Sequence, residues 1–234
     1  MSALIEVHGL EKYFGRFSAL RDLHISIPQG QFVALFGRNG AGKTTFLRIL
    51  AGLSRPSAGM VEVHASKPGS QRARELVGYL SHSSALYPDL TALENLSFYA
   101  RLLDLPSSDS DLEERIARAG LAGRAGEPVR NYSRGMQQRL AIARAFLHDP
   151  SLLLLDEPFT GLDQEGAEFL KDYLNEARTR GKTCLMAIHD PMIGHAVADR
   201  LVVIERGAVA LDLARRAISL DEFRGLYRTL TQER

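Results

Sequence analysis

The order of elements predicted from the sequence places this chain in the α/β class. Three observations carry that expectation: alternating strands near the N-terminus, a glycine-rich loop between an apolar strand and a helix, and apolar strands that return after a long helical stretch. Leu4-Ile5-Glu6-Val7-His8 alternates as a half-buried strand does, and so does His24-Ile25-Ser26-Ile27 ahead of Pro28. Gln31-Phe32-Val33-Ala34-Leu35-Phe36 is a short apolar run ending in glycine, the pattern of a buried strand feeding a turn. Thr44 to Leu53 follows as a helix with Phe46, Leu47, Leu50 and Ala51 on one face. Val61-Glu62-Val63 and Val77-Gly78-Tyr79-Leu80 read as further strands.

From Thr91 to His148 the pattern is helical. Thr91-x-x-Glu94 and Ser110-x-x-Glu113 both have the form of a capping box, and Pro106 parts the two helices. A third helix is predicted to start at Ser133 and stop before Pro150. Strands return at Leu152–Leu155, Thr183–Ile188 and Leu201–Glu205, with a helix between Gln164 and Arg178. Asp221 to Thr229 reads as a short terminal helix at most. No internal repeat or low-complexity region interrupts this order, which predicts one domain.

Composition narrows the function classes. Apolar residues make up 45% of the 234 and charged residues 24%, which is ordinary globular usage. A formal net charge of +1 argues against a nucleic-acid binder acting through bulk charge. The one cysteine, Cys184, lies in the apolar run Thr183–Ile188 and is expected to pack as a small hydrophobe, which suits a reducing compartment. No stretch reaches the roughly 18 apolar residues of a membrane span, and no signal-peptide pattern is present. The chain is therefore expected to be soluble and cytoplasmic, reaching a membrane only through a partner.

Gly37-Arg38-Asn39-Gly40-Ala41-Gly42-Lys43-Thr44 matches G-x-x-x-x-G-K-[ST] and sits between a predicted strand and a predicted helix. Glycines let such a loop wrap phosphates with its backbone N–H groups, and the helix N-terminus adds positive potential. Lys43 should reach the β- and γ-phosphates, Thr44 should offer its hydroxyl oxygen to Mg²⁺, and Thr45 can bond a phosphate oxygen. The bland reading is a glycine-rich turn with no ligand. The motif does not by itself separate kinases, GTPases and ATPases.

Leu152-Leu153-Leu154-Leu155-Asp156-Glu157-Pro158 describes a buried parallel strand that delivers two carboxylates at its C-terminal end, where ligands bind in open α/β sheets. Asp156 suits a hold on Mg²⁺, and Glu157 suits the residue that polarises an attacking water. The alternative is a pair of acids that only caps the next turn.

Together these motifs resemble the nucleotide-binding subunit of an ATP-binding cassette (ABC) transporter, and the resemblance runs from residue 3 to residue 212. Ser133-Arg134-Gly135-Met136-Gln137-Gln138-Arg139 occupies the family's signature position, Gly161-Leu162-Asp163 resembles its D-loop, and His189 in Ala187-Ile188-His189-Asp190 resembles its switch histidine. Phe14, before Gly15, fits the aromatic that stacks on adenine, with Tyr13 as a substitute. The resemblance implies a P-loop NTPase (RecA-like) core with an N-terminal antiparallel β subdomain and an inserted α-helical subdomain. It implies one nucleotide-binding domain over 1–234, with core segments at 1–82 and 151–212, helical subdomain at 83–150 and a short tail at 213–234. It also implies MgATP hydrolysis in a head-to-tail dimer, expected to be a homodimer. There Ser133 and Gly135 cover the partner's γ-phosphate, Asp163 lies at the seam and His189 senses the γ-phosphate. The implied partner is a polytopic membrane subunit, with the chain peripheral on the inner face of the cell membrane.

Four positions depart from the family pattern. The signature usually has leucine, glycine and glutamine where Tyr132, Arg134 and Met136 stand, while Ser133 and Gly135 are kept. The glutamine expected after Val77–Leu80 is replaced by His82, and no glutamine occurs between Gln71 and Gln137. Either His82 takes over the contact to water or phosphate, or the loop serves only mechanical coupling. A histidine can change charge between about pH 5 and 8, so the first option adds a pH dependence to turnover. The segment Tyr132–Arg139 resembles export subunits, including the haem-exporter ATPase of cytochrome c maturation, and no C-terminal regulatory domain of the kind common in sugar importers is expected. The competing reading is a soluble ABC ATPase not coupled to transport. Such proteins typically carry two domains per chain or a long coiled-coil insertion. A P-loop kinase or GTPase would not require Ser133-x-Gly135 ahead of the acidic strand.

Overall fold

The computed structural model describes residues 3 to 232; residues 1–2 and 233–234, which the single-domain expectation spans, lie outside the described residues. Strands β1 (Ala3–Phe14) and β2 (Phe17–Pro28) form an antiparallel hairpin, longer than the two short runs read from the sequence. Register shifts after Val7 and Leu10 break the alternation, which hides the second half of β1 from a period-two reading. The chain then enters β3 (Phe32–Phe36), α1 (Lys43–Leu50) and β4 (Ala58–Val63), and β4 pairs with β1 to complete a three-stranded antiparallel sheet.

A second sheet holds six strands. After α2 (Gln71–Leu76) come β5 (Val77–Leu80), the helices α3 (Ala92–Leu102), α4 (Asp109–Ile116) and α5 (Arg134–Ala145), and then β6 (Leu152–Asp156). The chain continues through α6 (Gln164–Thr179), β7 (Thr183–Ala187), α7 (Pro191–Val197), β8 (Arg200–Glu205), β9 (Ala208–Ala214) and α8 (Leu220–Gln232). The sheet order is β5-β6-β7-β3-β8-β9, parallel except for β9 at the edge. Every residue of β3, β6 and β7 is buried, as expected of strands covered on both faces. Cys184, in β7, is a buried free thiol.

Three apolar clusters hold these layers. One fills the space between the two sheets and takes in Phe46, Leu47 and Leu50 of α1. The second lies on the other face of the six-stranded sheet, under α5, α6 and α8. The third gathers Leu96, Leu112, Ile116 and Leu140 of the helices between β5 and β6. The fold is thus an α/β P-loop NTPase core with an antiparallel β layer and inserted helices. Among the described residues no helix is long and apolar enough to cross a membrane.

Two sequence expectations need correction. The cap of α4 is Ser108, whose Oγ accepts from the Asp111 N–H while Asp111 accepts from the Ser108 N–H; Ser110 and Glu113 do not form it. Both frames fit the capping pattern, and the earlier one adds two acids to the first turn, where the helix dipole favours them. The C-terminal segment is more than a short helix: α8 runs 13 residues and Phe223 is fully buried. Helices α2 and α7, of 6 and 7 residues, are too short to show a helical period, and α7 opens on Pro191 behind an Asp190 cap.

Candidate active site

The phosphate loop is shaped by what surrounds it. β3 ends at Phe36, and the next residue, Gly37, has φ 149° with a Cβ position only 2.2 Å from the Ile204 carbonyl oxygen. Gly42 has φ 111° with its Cβ position 2.6 Å from the Ala19 carbonyl oxygen, so neither site admits a side chain. Gly42 is also the N-cap of α1 and supplies no side-chain cap, which leaves first-turn N–H groups free for an anion. Lys43 is buried and arches back over the loop, donating from Nζ to the Gly37 oxygen at 2.6 Å and the Arg38 oxygen at 3.1 Å. Burial lowers its pKa, against the opposing pull of Glu157, Asp156 and Glu205.

β6 brings the acidic pair to the same place. Asp156 is 2% exposed; its Oδ1 accepts from Thr44 Oγ1 at 3.1 Å, and its Oδ2 is buried with no partner. Burial raises the Asp156 pKa and Glu157 adds to the rise, against the Thr44 hydrogen bond and the charges of His82 and Lys43. An orphaned carboxylate oxygen beside a hydroxyl is a hard-oxygen corner suited to Mg²⁺, which usually takes one or two carboxylates plus substrate phosphates. Among the described residues no group of three or more His, Cys, Asp or Glu side chains could hold a metal ion.

Glu157 has φ 54°, a left-handed conformation uncommon for a non-glycine residue, and its N–H donates to the Ala187 oxygen at 3.1 Å. The twist turns its carboxylate into the cleft. Oε1 meets Nε2 of His189, which lies just beyond β7, while Oε2 is 3.9 Å from Nδ1 of His82 and 3.5 Å from Thr160 Oγ1. His82 is therefore close to the acidic pair, although its side chain is 71% exposed.

These groups share a cleft of about 710 Å³, lined among others by Asn39 to Thr45, Phe14, His82, Glu157 and His189. That volume lies in the usual small-molecule range of roughly 300–1,000 Å³. Arg38 is exposed on the loop, outside the lining, and Gly37 and Asp156 are buried behind it. Phe14 is 53% exposed with Lys12 Nζ 4.9 Å from its ring centroid, whereas the Tyr13 hydroxyl is turned to Glu11. Three lining residues, Phe17, Ala19 and Thr160, escaped the sequence reading. Phe17 sits opposite Phe14 in the hairpin register, a pairing that the spacing Phe-Gly-Arg-Phe could have suggested. Thr160 enters through its contact with Glu157.

Ser133, Gly135 and Asp163 do not line this cleft; they form a second group. Ser133 caps α5 by accepting from the Met136 N–H at 3.2 Å, and Asp163 caps α6 by accepting from the Gly166 N–H at 2.8 Å. The two turns touch, because a Cβ on Gly135 would lie 3.1 Å from Asp163 Oδ2. Arg139, the last residue of the signature segment and 6% exposed, donates to Glu165 at 3.2 Å and lies 4.0 Å from Asp163.

Comparison with known proteins identifies the family. Residues 20–160 match the family described as ABC transporter. The uncharacterized ABC transporter ATP-binding protein YdbJ of Bacillus subtilis (strain 168) is 34% identical over 90% of this chain and 69% of its own length. The Nod factor export ATP-binding protein I of Ralstonia nicotianae is 36% identical over 87% of this chain, which spans 65% of that relative. The aliphatic sulfonates import ATP-binding protein SsuB 2 of Pseudomonas aeruginosa is 37% identical over 89% of this chain and 74% of its own length. Among solved structures, the dimeric ATP-binding cassette MJ0796 bound to ADP and Pi superposes with a TM-score of 0.83 at 26% identity, over 92% of this chain and all of that one. The chain belongs to the ABC transporter family, as an ATP-binding subunit.

Proposed function

We propose that the chain hydrolyses MgATP and that hydrolysis drives a polytopic membrane subunit on the inner face of the cell membrane. The observation that carries this reading is the convergence of Lys43, Thr44 and Glu157 on one cleft, with Asp156 bonded to Thr44 behind its wall. In this reading the loop amides from Gly37 to Gly42, with Arg38, Asn39, Gly40 and Ala41 between them, cradle the phosphates, and Thr45 adds a hydroxyl. Lys43 leaves its carbonyl contacts to meet the β- and γ-phosphates. Thr44 and Asp156 would hold Mg²⁺, which supplies charge neutralisation on the phosphate oxygens. Glu157 orients and polarises the attacking water, with His189 and His82 beside its two carboxylate oxygens. Phe14 offers its exposed face to adenine.

The placement of Ser133, Gly135 and Asp163 away from the cleft supports action as a head-to-tail homodimer, each copy covering the other's nucleotide. The unit is one nucleotide-binding domain over 1–234, with its core at 1–82 and 151–212, its helical subdomain at 83–150 and the tail from 213. Relatives named for export and for import both resemble this chain, so the direction rests on the wording of Tyr132–Arg139, from which we assign export. Haem is the first cargo to test. Affinity purification of the tagged chain from membranes tests the coupling: recovery of a multi-helix membrane protein with ATPase activity is expected. An active ATPase recovered without any such protein would favour the uncoupled alternative.

A further inference from the structure

His82 comes within 3.9 Å of Glu157 from a short segment between β5 and the inserted helices, and two side chains grip that segment at its ends. Arg144, in the last turn of α5, donates from Nη2 to the Tyr79 carbonyl at 3.3 Å, three residues before His82. Tyr99, in α3, donates from its hydroxyl to the Ala85 carbonyl at 2.5 Å, three residues after His82. The two grips meet, because Arg144 Cζ lies 5.0 Å from the centroid of the Tyr99 ring, within cation–π range. Arg144 Nε is buried without a partner, and burial lowers the Arg144 pKa.

The chain is firmly held on both sides of this segment. Leu80 is buried in β5, which pairs with β6. Asn95, 0% exposed, accepts from the Tyr87 N–H at 2.8 Å and donates to the carbonyls of Tyr87, Leu90 and Thr91, which fastens the chain from Tyr87 onward to α3. Ala85 has φ 49°, a left-handed conformation uncommon for a residue with a Cβ, and such a conformation persists where its neighbours impose it. Among the described residues, the side-chain hydrogen bonds of residues 81–84 stay within the segment, linking Ser81 to Ser83. His82, with 71% of its side chain exposed, has little packing of its own to hold it beside Glu157.

We propose that Arg144 and Tyr99 are positioning residues for His82: together they clamp the two ends of its loop and keep the imidazole beside Glu157. This rests on the reading of Glu157 as the residue that polarises water, with His82 as its neighbour in the reaction. A looser loop would spend less of its time with His82 in place. Neither Arg144 nor Tyr99 lines the nucleotide cleft, so loosening the clamp should lower kcat and spare the KM for ATP.

Tyr99→Phe keeps the ring beside Arg144 and deletes the hydroxyl, while Arg144→Met keeps a flexible stem and deletes the donor and the charge. Each is made alone and together with His82→Ala, and kcat and KM for ATP are measured across the set. His82→Ala is expected to lower kcat about threefold to tenfold, the scale of one hydrogen bond, and Tyr99→Phe to lower it about twofold to tenfold with KM within about twofold of wild type. In the His82→Ala background neither clamp substitution should slow turnover further, because no imidazole is left to misplace. Full additivity, with each clamp substitution costing the same fold-change in both backgrounds, overturns the proposal, since a merely structural loss scales both alike. Wild-type kcat in Tyr99→Phe overturns it as well, as does a KM that rises at unchanged kcat. If Arg144→Met folds poorly, Tyr99→Phe decides alone. Wild-type kcat in His82→Ala would remove His82 from the reaction, and the clamp with it, while leaving Glu157 in its role. Wild-type protein without ATPase activity would sink the reading of the cleft itself and everything that rests on it.

Discussion

Replacing Glu157 by Gln is the sharpest perturbation of the proposed chemistry. Gln keeps the side-chain volume, and the N–H to the Ala187 oxygen still holds the backbone at its left-handed φ of 54°. One amide oxygen can still accept from a neighbour, so what disappears is the negative charge and the basic oxygen. The native carboxylate is 22% exposed and contacted on both oxygens, by His189 on one and by Thr160 on the other. In the proposed chemistry that makes it a tightly positioned base, whose loss typically costs about 10²- to 10⁴-fold in rate, or about 2.7 to 5.4 kcal/mol at 1.36 kcal/mol per decade. We place the loss in kcat near 10³-fold, toward the middle of that range. ATP affinity should hold or improve, because a neutral side chain no longer repels the polyphosphate. Steady-state ATPase assays paired with equilibrium binding of ATP separate the two effects. Turnover that survives within about threefold of wild type, where a lost base is worth at least about 10²-fold, would refute the role of Glu157.

Three further outcomes follow from the geometry. Asp156→Asn neutralises a carboxylate that burial already disfavours, so the nucleotide-free Tm should hold or rise, while Mg²⁺ should no longer add to the stabilisation given by ATP; an ATP-induced shift in Tm that still depends on Mg²⁺ would count against Asp156 as its holder. Gly194→Ala forces a Cβ to within 2.3 Å of Phe36 Cζ and 3.3 Å of Ala34 Cβ, and overpacking of this kind costs about 1–3 kcal/mol by urea unfolding; a wild-type midpoint would show that α7 can move aside. His64 and His148 both have pKa values lowered by burial from 6.5, so the unfolded chain takes up protons that the folded chain refuses. Stability should therefore be complete above about pH 6.5 and fall as pH drops through the lowered values; a double His64→Gln, His148→Gln variant that loses just as much stability on acidification would assign the effect elsewhere.

The parts of the fold that the sequence disclosed are those whose physics is local or fully one-sided. Glycines at 37 and 42 are demanded by backbone oxygens at 2.2 and 2.6 Å, and that demand leaves a spacing that can be read directly. Leu152 to Leu155 are apolar without interruption because β6 is buried on both faces. What stayed hidden depends on distant partners. The apolar stripe Phe223, Tyr227 and Leu230 is interspersed with charged residues, and only its packing near Phe36 and the second cluster explains it. β9 alternates weakly because Ala208, Ala210 and Ala214 blur the contrast between its faces. Phe17 joins Phe14 only through the register of a hairpin, and Ser108 prevails over Ser110 as a cap although both frames satisfy the same pattern. His82 was legible as an anomaly in the sequence; its 3.9 Å approach to Glu157 required the fold.

The division of the site residues into two groups has a mechanical consequence. The α5 N-terminus and the Asp163 turn pack on each other so closely that a Cβ on Gly135 would lie 3.1 Å from the Asp163 carboxylate, and Arg139 joins the same corner to Glu165. Glu157 and Asp163 are separated only by the turn that carries Pro158, Phe159, Thr160, Gly161 and Leu162, and Thr160 is itself bonded to Glu157. Any displacement of Ser133 and Gly135 by a partner's nucleotide would press on Asp163, and through that turn on the carboxylate facing this chain's own cleft. On the proposed dimer, occupancy of one site is then communicated to the base of the other by a connected run of side chains. Removing the hydroxyl that ties the turn to Glu157, as Thr160→Ala does, should weaken the dependence of hydrolysis on ATP occupancy at the second site while leaving ATP binding intact. Hydrolysis that rises with ATP as cooperatively in Thr160→Ala as in wild type would mean that the two clusters act independently.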